Sequence, residues 1–505
     1  KKGVLCSNIP ASECKRIVEK KGKKVVEYCS FYPTALAVAK GFSKEERVVF
    51  VDSLGNEVEG YEDTHCSYYC QRVKTLASSF RIFNYHEYLS LILFSKEVIN
   101  TEVLICDEAH LIENLAVDFF KLTLTRKLVN NANLNMVDSE EVDTWLSIAR
   151  EVLGVYKNRL KEAKKEKRGL EELIITTERE VIEKKKEEEK REKEKEEEEE
   201  YEKTKRRLTG YRAKLVELLK RIAELEEIVK RLEFLVARVN EDKSNFIVDI
   251  RKKEGGEVEK AYLIPLSIGK YLQEVFNKAR IRLFMSATIN YQLLKRELAL
   301  EDPAYIDIGS PFPVNNRLVF FTNSYRLNKD NMDDKDTITK VANVIDSILN
   351  KHKNERGLIL VTSYRLADTI YLNISNKGRI LLTNDIKRKE IISKHLEKED
   401  SVIMSPSLWE GVDLRDDLCR FIIIAKTPYL DLSDKRVREK SSKDRDWYEG
   451  HAIMRLIQGS GRGVRNDNDY CITYVLDSNA TSLIKRRYKD IPAWFREAIV
   501  WDGSN

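Results

Sequence analysis

Residues 102–110 read Glu-Val-Leu-Ile-Cys-Asp-Glu-Ala-His, an apolar run of strand length closed by two adjacent carboxylates, an alanine and a histidine. A short apolar run bounded by polar residues suits a strand buried in a parallel sheet. The carboxyl ends of such strands are where α/β folds gather their ligands. At that position one carboxylate can hold Mg²⁺ on a nucleoside triphosphate while the next orients the attacking water. Asp107 is thus the candidate metal ligand, Glu108 the water-positioning group, and His110 the third member of the segment. A four-residue match is short enough to be a surface turn as well, so the rest of the chain has to decide.

Working outward, similar apolar runs recur at residues 282–285, 357–361, 401–404, 421–425 and 471–476. Helical patterns such as 336–350 and 386–399 lie between them, which predicts an α/β fold of buried parallel strands alternating with helices. The 505 residues exceed what one core organises and predict about two to four domains. Hydrophobic residues at 42% allow real cores, and 34% charged residues call for an extended solvated region. With 89 Lys and Arg against 84 Asp and Glu, the net charge of +5 gives no global field for nucleic acid, so any basic surface is local.

The solvated region is legible between residues 119 and 245, rich in Lys, Glu, Leu and Ala. Leu208, Tyr211, Leu215, Leu218, Ile222, Leu225, Val229, Leu232, Val236 and Val239 alternate three and four apart, an apolar seam that needs a partner helix. Val142, Trp145, Ile148 or Ala149, Val152 and Tyr156 begin a second stripe, so the expectation is an antiparallel helical hairpin. Between the stripes, residues 183–203 are nearly all Glu, Lys and Arg, which reads as a solvated helix or hairpin tip.

Five of the eight cysteines, Cys6, Cys14, Cys29, Cys66 and Cys70, fall in the first 70 residues. Without a secretory signal, clustered thiols point to metal ligation before disulfides. Four thiolates suit an iron–sulfur cluster or zinc, though no short Cys-x-x-Cys pair favours zinc. Cys106, Cys419 and Cys471 sit singly in or beside apolar runs and read as buried thiols.

Four further segments are candidates for chemistry. Ser286-Ala287-Thr288 closes an apolar run and offers hydroxyls to the acidic segment, or simply a helix cap. Gln458-Gly-Ser-Gly-Arg-Gly-Val-Arg465 places Arg462 and Arg465 three apart, on one face of a helical segment, as arginine fingers for a γ-phosphate with Gln458 as a polar sensor. Trp409-Glu-Gly-Val-Asp413 offers Gly411 and Asp413 to nucleotide coupling, with Trp409 either core or a stacking surface for a base. Thr362 and Ser363 open a helix and could meet a nucleic-acid phosphate or cap that helix.

In order and spacing these segments resemble the XPD family of superfamily 2 DNA helicases, sister to the DinG group, over nearly the whole chain. The resemblance implies two RecA-like motor domains with parallel sheets, the first interrupted by a cysteine-rich cluster domain and a helical arch. Its expected layout is a cluster domain at 1–75, motor domain 1 at 76–118 and 246–309, the arch at 119–245 and motor domain 2 at 310–505. It implies a [4Fe–4S] cluster on Cys6, Cys14, Cys29 and Cys66, with Cys70 spare or replacing Cys66, and Tyr68 and Tyr69 as candidate base-stacking residues. It implies ATP as substrate, Mg²⁺, single-stranded and forked duplex DNA as partners, 5′ to 3′ translocation, a role in repair and a monomer.

One departure stands out, since no Gly-x-x-x-x-Gly-Lys-Ser/Thr occurs in the 505 residues. The family carries that loop upstream of its first cluster cysteine, and Lys1-Lys2-Gly3 is not an initiator start, so the expectation is that the chain begins partway through a larger protein and is inactive by itself. A DinG-type helicase and an ATPase-dead DNA-binding scaffold are the alternatives. The absence of a signal peptide and of a long apolar stretch predicts a soluble protein, cytoplasmic, or nuclear in a eukaryote.

Overall fold

The computed structural model of the protein describes residues 15–20, 23–28, 47–51, 57–61, 75, 78–94, 101–188, 195–383, 388–409 and 414–502. Cys6, Cys14, Cys29, Cys66, Tyr68, Tyr69, Gly411 and Asp413 lie outside the described residues. Two compact units divide the chain, one of residues 1–104 and 114–283, the other of residues 105–113 and 284–505.

In the first unit, β1 (Lys15–Lys20) pairs antiparallel with β2 (Lys23–Tyr28), and β3 (Arg47–Val51) with β4 (Glu57–Tyr61). There follow α1 (Tyr85–Phe94), β5 (Thr101–Cys106), which crosses into the second unit, α2 (Ile112–Phe120), β6 (Leu122–Thr125) and α3 (Arg126–Asn131). Two helices of 47 residues each, α4 (Val142–Glu188) and α5 (Lys195–Glu241), dominate the unit. Each runs to about 70 Å at 1.5 Å per residue. Leu208, Leu215, Leu218, Ile222, Leu225, Val229, Leu232, Val236 and Val239 of α5 are all buried, as are Trp145, Ala149, Val152 and Tyr156 of α4. Ion pairs flank that seam at Lys157–Glu233 (2.6 Å), Lys164–Glu226 (2.6 Å) and Arg212–Glu178 (2.8 Å). Numbers rise on one helix as they fall on the other, so the helices are antiparallel.

Beneath the helices, β7 (Phe246–Lys252) and β8 (Val258–Pro265) form an antiparallel hairpin, and β6 pairs with the other edge of β8. Phe234 of α5 packs on Phe94 and Phe120, and Phe120 on Tyr271 of α6 (Gly269–Phe276). The chain then enters β9 (Ala279–Phe284), partner of β5. Thr101 N–H bonds Lys278 O at one end and Met285 N–H bonds Cys106 O at the other, so this pair is parallel. It departs from the sequence expectation in burial, because Val103, Ile105, Ile281, Leu283 and Met285 are 44–55% exposed. The sheet has two strands among the described residues, and two strands cannot cover both of their own faces.

The second unit continues through α7 (Tyr291–Glu297), β10 (Val319–Tyr325), α8 (Lys335–Lys351), β11 (Gly357–Leu360), α9 (Tyr364–Asn373), β12 (Ile380–Leu382), α10 (Arg388–Glu397) and β13 (Val402–Ser405). It is completed by β14 (Phe421–Ile424), α11 (Lys435–Lys443), α12 (Arg445–Ser460), β15 (Ile472–Asp477), α13 (Ser478–Arg486), α14 (Ala493–Glu497) and β16 (Ile499–Trp501). The seven strands lie in the order β12-β13-β11-β14-β15-β10-β16, and every pairing is parallel. Alternate residues feed two cores: Leu358, Leu360, Ile422 and Ile424 meet Ile453 and Leu456 of α12, while Ile359, Phe421 and Ile423 meet Val341, Ile345 and Ile370 of α8 and α9. Helices on both faces explain why these strands read as unbroken apolar runs. No helix among the described residues is long and apolar enough to cross a membrane.

Candidate nucleotide-hydrolysis site

The site lies wholly within the second unit, where the chain leaves β5 and β9 and where α12 ends. Glu108 takes a left-handed backbone conformation, φ 49° and ψ 46°, which costs a non-glycine residue about 1–3 kcal/mol. The tight turn lets Ala109 N–H bond Met285 O at 3.0 Å and brings the Glu108 carboxylate to the Ser286 hydroxyl, Oγ to Oε2 3.0 Å. His110, 7% exposed, sits between Ser286 and Gln458, with Nδ1 2.8 Å from Ser286 Oγ and Nε2 2.8 Å from Gln458 Nε2.

Donor chemistry orders this chain of contacts. A carboxylate only accepts, so Ser286 donates to Glu108 and accepts from His110 Nδ1–H. That tautomer leaves Nε2 as an acceptor for the amide N–H of Gln458. The result is a one-way chain of hydrogen bonds from Gln458 through His110 and Ser286 to Glu108. Thr288, also buried, donates its backbone N–H to Ser286 Oγ at 3.3 Å.

These groups open on a cavity of about 980 Å³ whose wall includes Glu108, His110, Ser286, Gln458, Arg462 and Arg465. Asp107 is exposed beside it, its Oδ1 accepting from Glu108 N–H at 2.9 Å. The two arginines are not on one helical face as their spacing suggested. α12 ends at Ser460 with Gly461 as its cap, and Arg462 and Arg465 follow in the turn. A Cβ on Gly463 would stand 2.4 Å from Cys471 Sγ and 2.7 Å from Cys419 O, so only glycine lets the turn press against these two residues. Arg462 Nε bonds back to Gln458 O at 3.1 Å, which ties the first arginine to the end of the hydrogen-bond chain.

Trp409 is 2% exposed and donates Nε1–H to Val361 O at 2.9 Å, so it has no open face for a base; the core reading replaces the stacking one. Ser363 accepts from Leu366 N–H at 3.2 Å as the N-cap of α9, with half-buried Thr362 preceding it. Sequence reading missed Tyr305, Phe312, Arg317 and Trp494, which complete the cavity wall. None of them lies in a motif, and only the folded chain brings them there.

Comparison with known proteins adds two family matches, the DEAD_2 domain over residues 6–129 and the helicase C-terminal domain over residues 345–498. These matches support an XPD/DinG-like helicase of superfamily 2. The ATP-dependent DNA helicase YoaA of Haemophilus influenzae is 22% identical over 86% of this chain and 69% of its own length. YoaA of Escherichia coli is 23% identical over 45% of this chain and 37% of its own. A solved XPD helicase structure aligns over 82% of this chain and 72% of its own, at 15% identity and a TM-score of 0.45.

The family domains and the helicase relatives support an ATP-dependent DNA helicase, and the two domains supply the two sides of the hydrogen-bond chain. Glu108 and His110 come from the DEAD_2 part and Gln458, Arg462 and Arg465 from the C-terminal part. Two exposed adjacent carboxylates are hard oxygen donors of the kind Mg²⁺ prefers, so the residues present fit a cation carried on ATP.

Proposed function

We propose that this chain acts in a motor that uses ATP hydrolysis to move 5′ to 3′ along single-stranded DNA and open forked duplexes during DNA repair, as a cytoplasmic monomer. The hydrogen-bond chain from Gln458 through His110 and Ser286 to Glu108 carries the hydrolytic part of this reading. Glu108 accepts the proton of the attacking water and holds its lone pair toward the γ-phosphate. Asp107 would hold the divalent cation, which when bound neutralises charge on the triphosphate. Arg462 and Arg465 meet the charge that develops on the transferred phosphoryl group, and Ser286 and Thr288 relay the state of the acidic segment. Gly411 and Asp413 are proposed to couple nucleotide to α12, and Thr362, Ser363, Tyr68 and Tyr69 to contact DNA. Polarity and the repair role are supported by the family resemblance.

Cys6, Cys14, Cys29 and Cys66 are proposed to hold a [4Fe–4S] cluster, supported by their clustering and by the resemblance. Iron and acid-labile sulfide in anaerobically purified protein, lost in Cys29→Ser, is the expected result. Zinc in their place would overturn the cluster.

The motor reading is tested by DNA-stimulated ATP hydrolysis and by unwinding of forks with a 5′ or a 3′ tail, using the full-length protein. Glu108→Gln should lower hydrolysis by roughly 10²- to 10⁴-fold while ATP still binds. Unwinding from 3′ tails only would reverse the proposed polarity.

A further inference from the structure

Three residues beyond His110, on α2, Glu113 is 1% exposed and carries charges around it that the hydrolytic mechanism does not use. Its Oε1 accepts from Arg436 and, at 2.6 Å, from Lys440, both on α11, while Oε2 meets no hydrogen-bond partner among the described residues. Burial alone would raise the carboxyl's pKa, but Arg436 and Lys440 outweigh it and hold it down to about 2. Beside it, buried Glu297 of α7 accepts from Trp447 Nε1–H at 2.8 Å and from His451 Nε2–H at 2.6 Å, both on α12. Lys440 Nζ lies 4.4 Å from the centre of the Trp447 ring, which joins the two halves of the cluster.

Glu113, Glu297 and His451 offer ligand atoms within 4.8 Å of one another, a spacing that could suit a metal ion. Charge balance argues otherwise. Arg436 and Lys440 already offset the two carboxylates when His451 is neutral, and a divalent cation would add two uncompensated charges to a buried site. The balanced set is a complete ion-pair cluster.

Its placement relative to the hydrolytic residues is informative. His451 and Gln458 are seven residues apart on α12, hence on one face and about 10 Å apart along the axis. His110 and Glu113 are three apart across the start of α2. His110 contacts Gln458 directly, while Glu113 reaches the earlier turns of α12 through Lys440 and Trp447.

We propose that Glu113, with Arg436, Lys440, Glu297 and His451, is a positioning cluster for the hydrolytic site, a second attachment of residues 108–113 to α12 that fixes where Gln458, Arg462 and Arg465 stand relative to Glu108. The proposal rests on the reading that those residues act on ATP. α12 is fixed in the core of the sheet by Ile453 and Leu456, so a single contact at Gln458 would leave residues 108–113 free to pivot on it, and two contacts along one face remove that freedom. Misplacement of about 1 Å at a reacting centre can lower a rate by roughly 100-fold.

The test is steady-state, DNA-stimulated ATP hydrolysis by the full-length protein carrying Glu113→Gln, or Glu113→Gln with Lys440→Met, beside Glu108→Gln. The double variant keeps the buried charges balanced, so its Tm should return toward that of the unaltered protein. Both variants should lose roughly 10- to 100-fold in kcat with KM for ATP within about 2-fold, because alignment and not ground-state binding is lost. Unaltered kcat in the folded double variant, or a kcat that falls only as folded protein is lost, overturns the positioning role. Full hydrolysis by Glu108→Gln would instead overturn the reading of the site, and the positioning role with it.

Discussion

Gln458 donates its amide N–H to Nε2 of His110 across 2.8 Å, bridging 348 residues of chain and joining the end of α12 to the turn that follows β5. The direction of that bond depends on a neutral imidazole protonated at Nδ1, because Ser286 must accept on one side in order to donate to Glu108 on the other.

Reversing one end of the chain should therefore show in the imidazole itself. In Gln458→Glu a carboxylate faces Nε2 and can only accept, which favours the doubly protonated ring. The ¹⁵N shift of Nε2 in His110 should move to the protonated range, and kcat for ATP should fall by about 10-fold or more. An unchanged Nε2 resonance would mean that the contact does not set the tautomer.

Trp409 should behave as core. Trp409→Ala empties a site that is 2% exposed and should cost about 3–5 kcal/mol of stability by denaturant titration. Affinity for single-stranded DNA should fall only to the extent that the protein unfolds. Loss of DNA affinity in a variant of unaltered stability would restore the base-stacking reading.

Along the helical hairpin, the apolar seam and its flanking ion pairs should differ sharply in worth. Leu225→Ala should cost about 2–5 kcal/mol, since Leu225 is buried between the helices. Lys164→Ala should cost less than about 1 kcal/mol, because Lys164 and Glu226 are each about half exposed and solvent screens the pair. Thermal unfolding followed by helix content at 222 nm separates the two.

Glu113 should contribute to acid sensitivity. Its pKa in the folded protein is about 2 against an ordinary 4.5, a depressed carboxyl, so its stabilisation is complete above about pH 4.5 and is lost as pH falls toward 2. In the balanced variant Glu113→Gln with Lys440→Met, stability between pH 5 and pH 3 should decline less steeply than in the unaltered protein. Parallel declines would show that other carboxylates dominate.

Much of this was legible in one dimension. The apolar runs of the second unit are strands because both sheet faces are covered, and the three-four alternation from Leu208 to Val239 is a buried helical seam. Asp107, Glu108, His110, Ser286, Gln458 and the two arginines were nameable as candidates from residue type and order, since phosphoryl transfer calls for carboxylates, hydroxyls and guanidinium groups at strand and helix ends. The same reasoning set Arg462 and Arg465 on a helix, because spacing records separation and not where the helix stops; close approach at Gly463 and the cap at Gly461 decide that.

What the sequence by itself determined is therefore the α/β class, the helical hairpin and the kinds of groups available for chemistry, because backbone periodicity and side-chain type are local properties. Only the tertiary structure decided that His110 lies between Ser286 and Gln458, that Trp409 is core, and that Glu113 shares a buried charge cluster with Arg436 and Lys440. Those relationships join residues up to 348 positions apart, and burial and charge compensation exist only once distant segments have excluded water together.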